Sequence, residues 1–264
     1  MRTLSITQAW DEALAVLRRE GSLIFPVALA LIGLPIVLFQ LAMPDTAPGA
    51  NPEVGPWLVF IIPLAVVSVL GSLTITILAL RGGISVGEAL AAGARRILPV
   101  LGASIILTAL IGIATFVLVL VLALVVALIG GGALAASALA VIVLVPLFAL
   151  FWARIMMMIP VAAAEGAGSS AMIKRSWALA RGHTAKLLGF AILVSLGAGI
   201  IMIAVTMVLG SVIALLLGRP EPANLSFVIL LLIGGALNTL WGAFYAVIVA
   251  RIYTQLADEP STGI

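Results

Sequence analysis

The 264-residue chain is 64% hydrophobic and 9% charged, with a mean hydropathy of +1.36, against roughly 45–50% apolar residues in soluble domains. That excludes a water-soluble globular domain, and the absence of cysteine excludes disulfides, thiol catalysis and thiolate metal sites. The pI near 10.0 reads as charge on one membrane face touching anionic headgroups, rather than as nucleic-acid binding.

The chain opens with a 22-residue leader. Ser5 with Gln8 makes a capping box, Ile6, Trp10, Leu14 and Leu17 share one face, and Asp11, Glu12, Arg18 and Arg19 occupy the rest, so an amphipathic helix in the membrane plane is predicted. Asp11, Glu12 and Glu20 argue against a cleavable signal peptide. Block one, Leu23–Met43, exceeds the roughly 18 apolar residues needed to cross a bilayer, as does every later block. Pro44, Pro48, Pro52 and Pro56 then predict an extended connection.

Block two, Trp57–Leu80, carries Ser68, Ser72 and Thr76 at four-residue spacing. A second capping box, Ser85 with Glu88, opens another amphipathic segment with Val86, Leu90, Ala94 and Ile97 as its stripe. Block three, Leu98–Ile129, bears Ser104, Thr108 and Thr115 on one face, and Gly130 to Gly132 form a turn. Block four is Leu134–Val161. A third amphipathic segment begins at Ser169 and places Ile173, Trp177 and Ala180 on one side, before block five, Leu187–Leu217. Blocks three and five are about thirty residues long, and each is expected to be one tilted or kinked helix. Arg219 and the prolines after it turn the chain into block six, Leu225–Ile252, and the tail after Ala257 is expected to be disordered.

Twelve of the thirteen basic residues fall in alternate gaps: Arg2, Arg18, Arg19, Arg81, Arg95, Arg96, Arg154, Lys174, Arg175, Arg181, Lys186 and Arg251. The positive-inside rule then puts both termini in the cytoplasm. The fold class is an all-α integral membrane protein, with six transmembrane helices and three cytoplasmic amphipathic elbow helices. It forms a single polytopic domain over 1–264 with a weak three-fold repeat, units 1–80, 81–161 and 162–256.

The stretch with the most varied residues runs Arg154-Ile-Met-Met-Met-Ile-Pro160, then Glu165-Gly, Lys174-Arg-Ser-Trp177, Leu179 and Arg181-Gly-His183, ending at Lys186. This order resembles the membrane-domain family found fused to some bacterial glycerophosphodiester phosphodiesterases, over about thirty residues of specific motif and the whole topology. The resemblance implies a multi-pass protein of the bacterial cytoplasmic membrane. It does not imply hydrolysis, since the fused enzymes carry their chemistry in a separate soluble barrel, and ten acidic residues and one histidine offer no such barrel.

Arg154, two turns inside block four, is costly if unpaired and is expected to snorkel or to pair with Glu165, locking the corner, with substrate or lipid-headgroup binding as the alternative. Pro160 is expected to end or kink its helix, with Gly166 and Gly168 permitting the turn. Lys174, Arg175, Arg181 and Lys186 either orient the chain or read anionic phosphates, Ser176 and Trp177 complete the motif, and His183 is interfacial. If the hydroxyl stripes of blocks two and three face each other they line a polar path; otherwise they bond their own backbones. Gln40 and Asn238 are read as interhelical glue, and Gly197, Gly199, Gly234, Gly235 and Gly242 as close-approach points.

These observations favour a non-enzymatic scaffold or accessory protein with a headgroup-binding basic face. The alternative is a transporter or channel for a small or lipidic solute; a nucleophile with a base, or metal-ligand spacing, is not seen. No cofactor is expected. The expected partners are membrane lipids, with a second membrane protein left open, and no nucleic acid.

Overall fold

A computed structural model of the chain describes residues 4–42, 56–221 and 224–257. Within them lie ten α-helices: α1 Ile6–Ala28, α2 Leu34–Ala42, α3 Ile61–Arg81, α4 Val86–Ala94, α5 Ile97–Leu128, α6 Ala133–Ile155, α7 Met158–Glu165, α8 Ser169–Ala180, α9 Thr184–Leu217 and α10 Leu225–Ala257. Six stretches are long and apolar enough to cross a membrane: Ile6–Leu41, Leu58–Arg81, Ile97–Leu128, Ala133–Glu165, Thr184–Leu217 and Leu225–Ala257. The chain is therefore a multi-pass helical membrane protein. The two thirty-residue blocks are single unbroken helices, α5 and α9. The expectations for Arg2, Pro44, Pro48, Pro52, Pro222 and the tail beyond Ala257 lie outside the described residues.

Prolines explain where the other helices break, because the ring opposes the carbonyl four residues upstream and removes its hydrogen bond. Pro35 faces Leu31, in the middle of the π-helical turn Leu29–Gly33 between α1 and α2. Pro160 faces Met156, where α6 gives way to α7. Pro160 therefore does not end its helix. It is the third residue of α7, the break precedes it, and the helix ends at Glu165 where Gly166 takes φ +62°. Pro63 and Pro99 are also third residues, of α3 and α5.

Pro26 lies inside α1, which is not straight. The Trp10 ring meets Phe244, with centroids 5.0 Å apart, and Gly33 packs on Thr239. These α10 partners are five residues apart, about 7.5 Å at ~1.5 Å per residue, whereas Trp10 and Gly33 are twenty-three apart, about 35 Å on a straight helix. The helix must bend between them, and Pro26, acting on Ser22 beside the buried Gly21, supplies the cause. The leader is thus the first part of a bent helix rather than a separate one.

In the three amphipathic segments the innermost stripe lies one position before the one read from the sequence, with Ala180 buried as expected, and in α1 and α4 it is made of smaller residues. Ala9, Ala13 and Val16 are buried in α1, Ala89 and Gly93 in α4, and Met172, Ser176 and Leu179 in α8. Small side chains let the helix backbone approach the bundle, and Ile6, Trp10, Leu17, Val86 and Ile173 pack at the edges of the contact. Ser85 and Glu88 form a complete capping box, while Ser5 caps Gln8 without reciprocation, its own N–H donating to Gln255 Oε1 at 3.1 Å. Ser169 is not a cap: Gly168 holds that position, and Ser169 Oγ donates to Pro99 O at 2.8 Å.

The core sits toward the end that carries the basic residues. Leu73 to Ala79 of α3, Met157 to Ala163 around α7, and Val247 to Tyr253 of α10 form it, with Leu187 and Phe190 from α9. Side chains such as Phe116, Leu120, Leu193 and Met207 are exposed, as lipid-facing residues are.

Candidate functional site

Two features meet at this core: an intramembrane cavity and the basic layer beside it. The cavity has a volume of about 910 Å³ and is walled by α3, α5, α6, α7, α9 and α10. Six hydroxyls line it, from Ser72, Thr76, Ser104, Thr108, Ser195 and Tyr245, in a wall otherwise built from apolar side chains including Phe148, Phe151, Trp152 and Pro160. The two hydroxyl stripes do converge, without Ser68 and Thr115. The α3 pair also bonds its own backbone: Ser72 Oγ donates to Ser68 O at 2.9 Å and Thr76 Oγ1 to Ser72 O at 2.7 Å, so their hydrogens are used and they can serve the cavity as acceptors.

Tyr245 was not foreseen. Its ring stacks on Phe190 at 6.3 Å, and its buried hydroxyl lies by the Trp152 side chain without a hydrogen bond of good geometry among the described residues. No Asp, Glu, Lys, Arg or His lines the cavity, and the described residues contain no group of three potential metal ligands. The wall is therefore suited to bind an apolar body with a few polar atoms. Thr108, Phe148, Trp152, Ile192 and Gly242 are exposed, so the cavity opens sideways between helices. Asn238 lies one turn before Gly242 on the same face of α10, and both it and Gln40 are exposed. A Cβ on Gly197, Gly199, Gly234 or Gly242 meets nothing within 4 Å, and only Gly235, against Val37, makes the close approach expected of this set.

In the basic layer, guanidinium groups hold carbonyls at helix ends, where the macrodipole favours a cation. Arg96 Nη1 donates to Ala162 O at 2.8 Å and to Ala163 O, closing the end of α7. Its pKa is lowered by desolvation first and by Arg81 second. Arg251 Nη2 donates to Ala79 O near the end of α3. The buried Glu20 accepts from Arg19 at 3.0 Å and from the Gly83 N–H at 3.2 Å, tying α1 to the turn after α3. Outside this network, the Glu88 carboxyl is held below its ordinary pKa, chiefly by the Ser85 backbone N–H and then by its hydroxyl.

Arg154 and Glu165 do not pair. The break at Met156 turns α7 away, so Glu165 meets Arg175 Nε at 3.0 Å and the Tyr253 hydroxyl at 2.9 Å. Arg154 lies over the Trp177 ring, 4.8 Å from its centroid, and its carbonyl accepts from the buried Ser176 Oγ at 2.8 Å. Trp177 also meets Phe151 edge-on at 6.1 Å. Lys174 and Arg181 flank Trp177 on the outer face of α8, Lys186 Nζ donates to Leu4 O at 3.4 Å, and His183 stands at the N-cap of α9. In an unfolding assay, a double-mutant cycle across Glu165 and Arg175 should give a coupling of about 0.5 kcal/mol, as half-exposed ion pairs do. A cycle across Glu165 and Arg154 should give none, and the reverse result would restore the pairing expected from the sequence.

Of the residues with a defined part, Tyr245, Arg96, Glu20 and Tyr253 escaped sequence reasoning. Only Tyr245 left a signal, as a polar group inside an apolar block.

A family model described as "Domain of unknown function (DUF7847)" matches residues 4–256. No curated protein and no solved structure matches the chain.

Proposed function

The chain belongs to the DUF7847 family, a domain of unknown function, and we propose that it is a non-enzymatic membrane protein that holds a lipidic molecule among its helices. The cavity carries this reading. Its volume, about 910 Å³, falls within the roughly 300–1,000 Å³ of ligand sites, its wall is apolar with scattered hydroxyls, and its opening is lateral, the route by which a lipid reaches a site from a bilayer. The sequence favoured a scaffold or accessory protein with a headgroup-binding basic face over a transporter or channel, and the cavity shifts the balance toward holding a lipid within the bundle. The resemblance over Arg154 to Lys186 supports an accessory role without chemistry of its own.

In this reading the basic end faces the cytoplasm of a bacterial inner membrane, by the positive-inside rule. The first part of α1, α4 and α8 lie along that interface as elbows, each followed by a pair of spans. The bend in α1 supports the first elbow. Anionic headgroups are the natural contact of this face, although the caps at Arg96 and Arg251 give part of its charge a structural use.

A filled cavity tests the proposal. Gly242→Phe adds a ring where a Cβ meets nothing within 4 Å, and replacing a helical glycine favours the helix by up to about 1 kcal/mol, so the variant should fold. Native mass spectrometry of the protein purified in mild detergent should show bound lipid, reduced about tenfold in the variant, a loss of some 1.4 kcal/mol in binding. Full lipid occupancy in a folded Gly242→Phe protein would overturn the reading. The α6–α7 break in the cavity wall favours movement of the lipid as a second reading, since discontinuous helices mark transport sites. Scrambling of a fluorescent lipid across proteoliposomes that stops in the same variant would support it.

A further inference from the structure

The outer face of α8 differs from the rest of the basic layer. Arg19, Arg96, Arg175, Lys186 and Arg251 each reach a protein acceptor, whereas Arg18, Arg81, Arg95, Lys174 and Arg181 are exposed and have none among the described residues; of these, Lys174 and Arg181 sit beside a groove. Lys174 lies within α8 and Arg181 stands two turns on at its C-cap, and with Ile173, Trp177 and Ala178 they line a groove of about 350 Å³. Two free cations thus flank an apolar floor. Arg154, held over the Trp177 ring, adds a third positive charge beneath it. Trp177 touches Phe151 edge-on, and Phe151 lines the cavity, so the groove and the cavity are separated by one aromatic pair.

Resting on the reading of the cavity as a lipid site, we propose that its ligand is an anionic phospholipid whose phosphate is held by Lys174 and Arg181, with its chains directed past Trp177 and Phe151 toward the cavity. The cations are complementary to a phosphate. Ile173, Trp177 and Ala178 offer the apolar contact that a free phosphate or a polar acidic segment does not use, and that the glycerol and upper chain of a lipid do.

The test uses the full chain in mixed micelles of phosphatidylcholine and phosphatidylglycerol, with retained lipid quantified by mass spectrometry after repurification. The native protein should retain phosphatidylglycerol enriched about tenfold over the bulk ratio, in line with two surface cations. Lys174→Glu with Arg181→Glu, or the gentler pair Lys174→Gln with Arg181→Gln, should return the ratio to bulk while total bound lipid is unchanged. Arg18→Glu with Arg95→Glu, which removes equal charge elsewhere on the exposed surface, should leave the enrichment intact. Persistence of enrichment in the α8 variants, or equal loss in the control pair, would overturn the proposal. So would displacement of phosphatidylglycerol by inorganic phosphate, or binding of a polyglutamate peptide in its place that the α8 variants abolish. Failure of the cavity reading appears separately, as total lipid that Gly242→Phe does not reduce.

Discussion

Arg96→Met should lower the apparent melting temperature by about 6–12 °C, while Arg95→Met leaves it unchanged. The two arginines are neighbours with the same formal contribution to topology, yet they do different things. Arg95 is exposed. Arg96 reaches Ala162 O and Ala163 O in residues that are 0% and 1% exposed, so methionine strands two buried acceptors at the end of a two-turn helix. Hydrogen bonds to a charged group contribute roughly 1.5–3 kcal/mol each, and a loss of about 3 kcal/mol converts at some 2–4 °C per kcal/mol for a chain near this size. Lysine at position 96 should recover only part of the loss, because an ammonium lacks the planar fork of a guanidinium. Differential scanning fluorimetry in one detergent would measure all three variants. Equal sensitivity at 95 and 96 would mean that charge, not capping, matters here.

Gly71→Leu should be more damaging still, abolishing the folded monodisperse protein or costing more than about 3 kcal/mol, at the upper end of overpacking. A Cβ at Gly71 would lie 2.8 Å from Ile32 Cγ1 and 3.0 Å from Leu31 Cβ, both in the π-helical turn. Neither contact is the free end of a long side chain. The extra volume must push α3 away from the α1–α2 junction, and α3 also packs on α4, α5, α7 and α10. By contrast, Gly197→Leu and Gly199→Leu meet open space and should raise stability slightly through helix propensity. Size-exclusion chromatography after expression separates these outcomes, and a well-folded Gly71→Leu protein would show that the α3–α1 contact is looser than its geometry.

The six spans were legible because each is a long apolar run, and hydropathy alone distinguishes such runs from the charged gaps between them. The Ser85–Glu88 cap was legible because its two partners are three residues apart. The breaks were harder to place. Pro160 acts on Met156, one turn before itself, so the helix yields upstream of the residue that causes it. Burial in the amphipathic segments was displaced by one position from the expected stripe, Ala180 excepted, since in α1 and α4 packing selects the smaller residue that allows approach and the sequence stripe is drawn through the large ones. The use of Arg96 on Ala162 and Ala163, and of Glu165 on Arg175 and Tyr253, depends on how distant segments meet, which no local spacing encodes. The cavity was half visible: two hydroxyl stripes pointed to it, whereas Ser195 and Tyr245 arrive from helices whose rotation only packing decides.

Most of the polar clips lie at one end of the bundle, where Glu20, Arg96, Ser169, Ser176 and Arg251 bind the chain across helix ends. At the other end, Val59, Ile62, Leu128, Ile129, Leu215 and Leu216 are exposed, and among the described residues the Ser226 hydroxyl, donating to Leu217 O at 3.1 Å, joins α10 to α9. A mismatch in bilayer thickness should therefore be taken up by tilt of α5 and α6, which carry no such clip at that end among the described residues, before it reaches the clipped end, and amide hydrogen exchange in bilayers of two thicknesses would measure the difference.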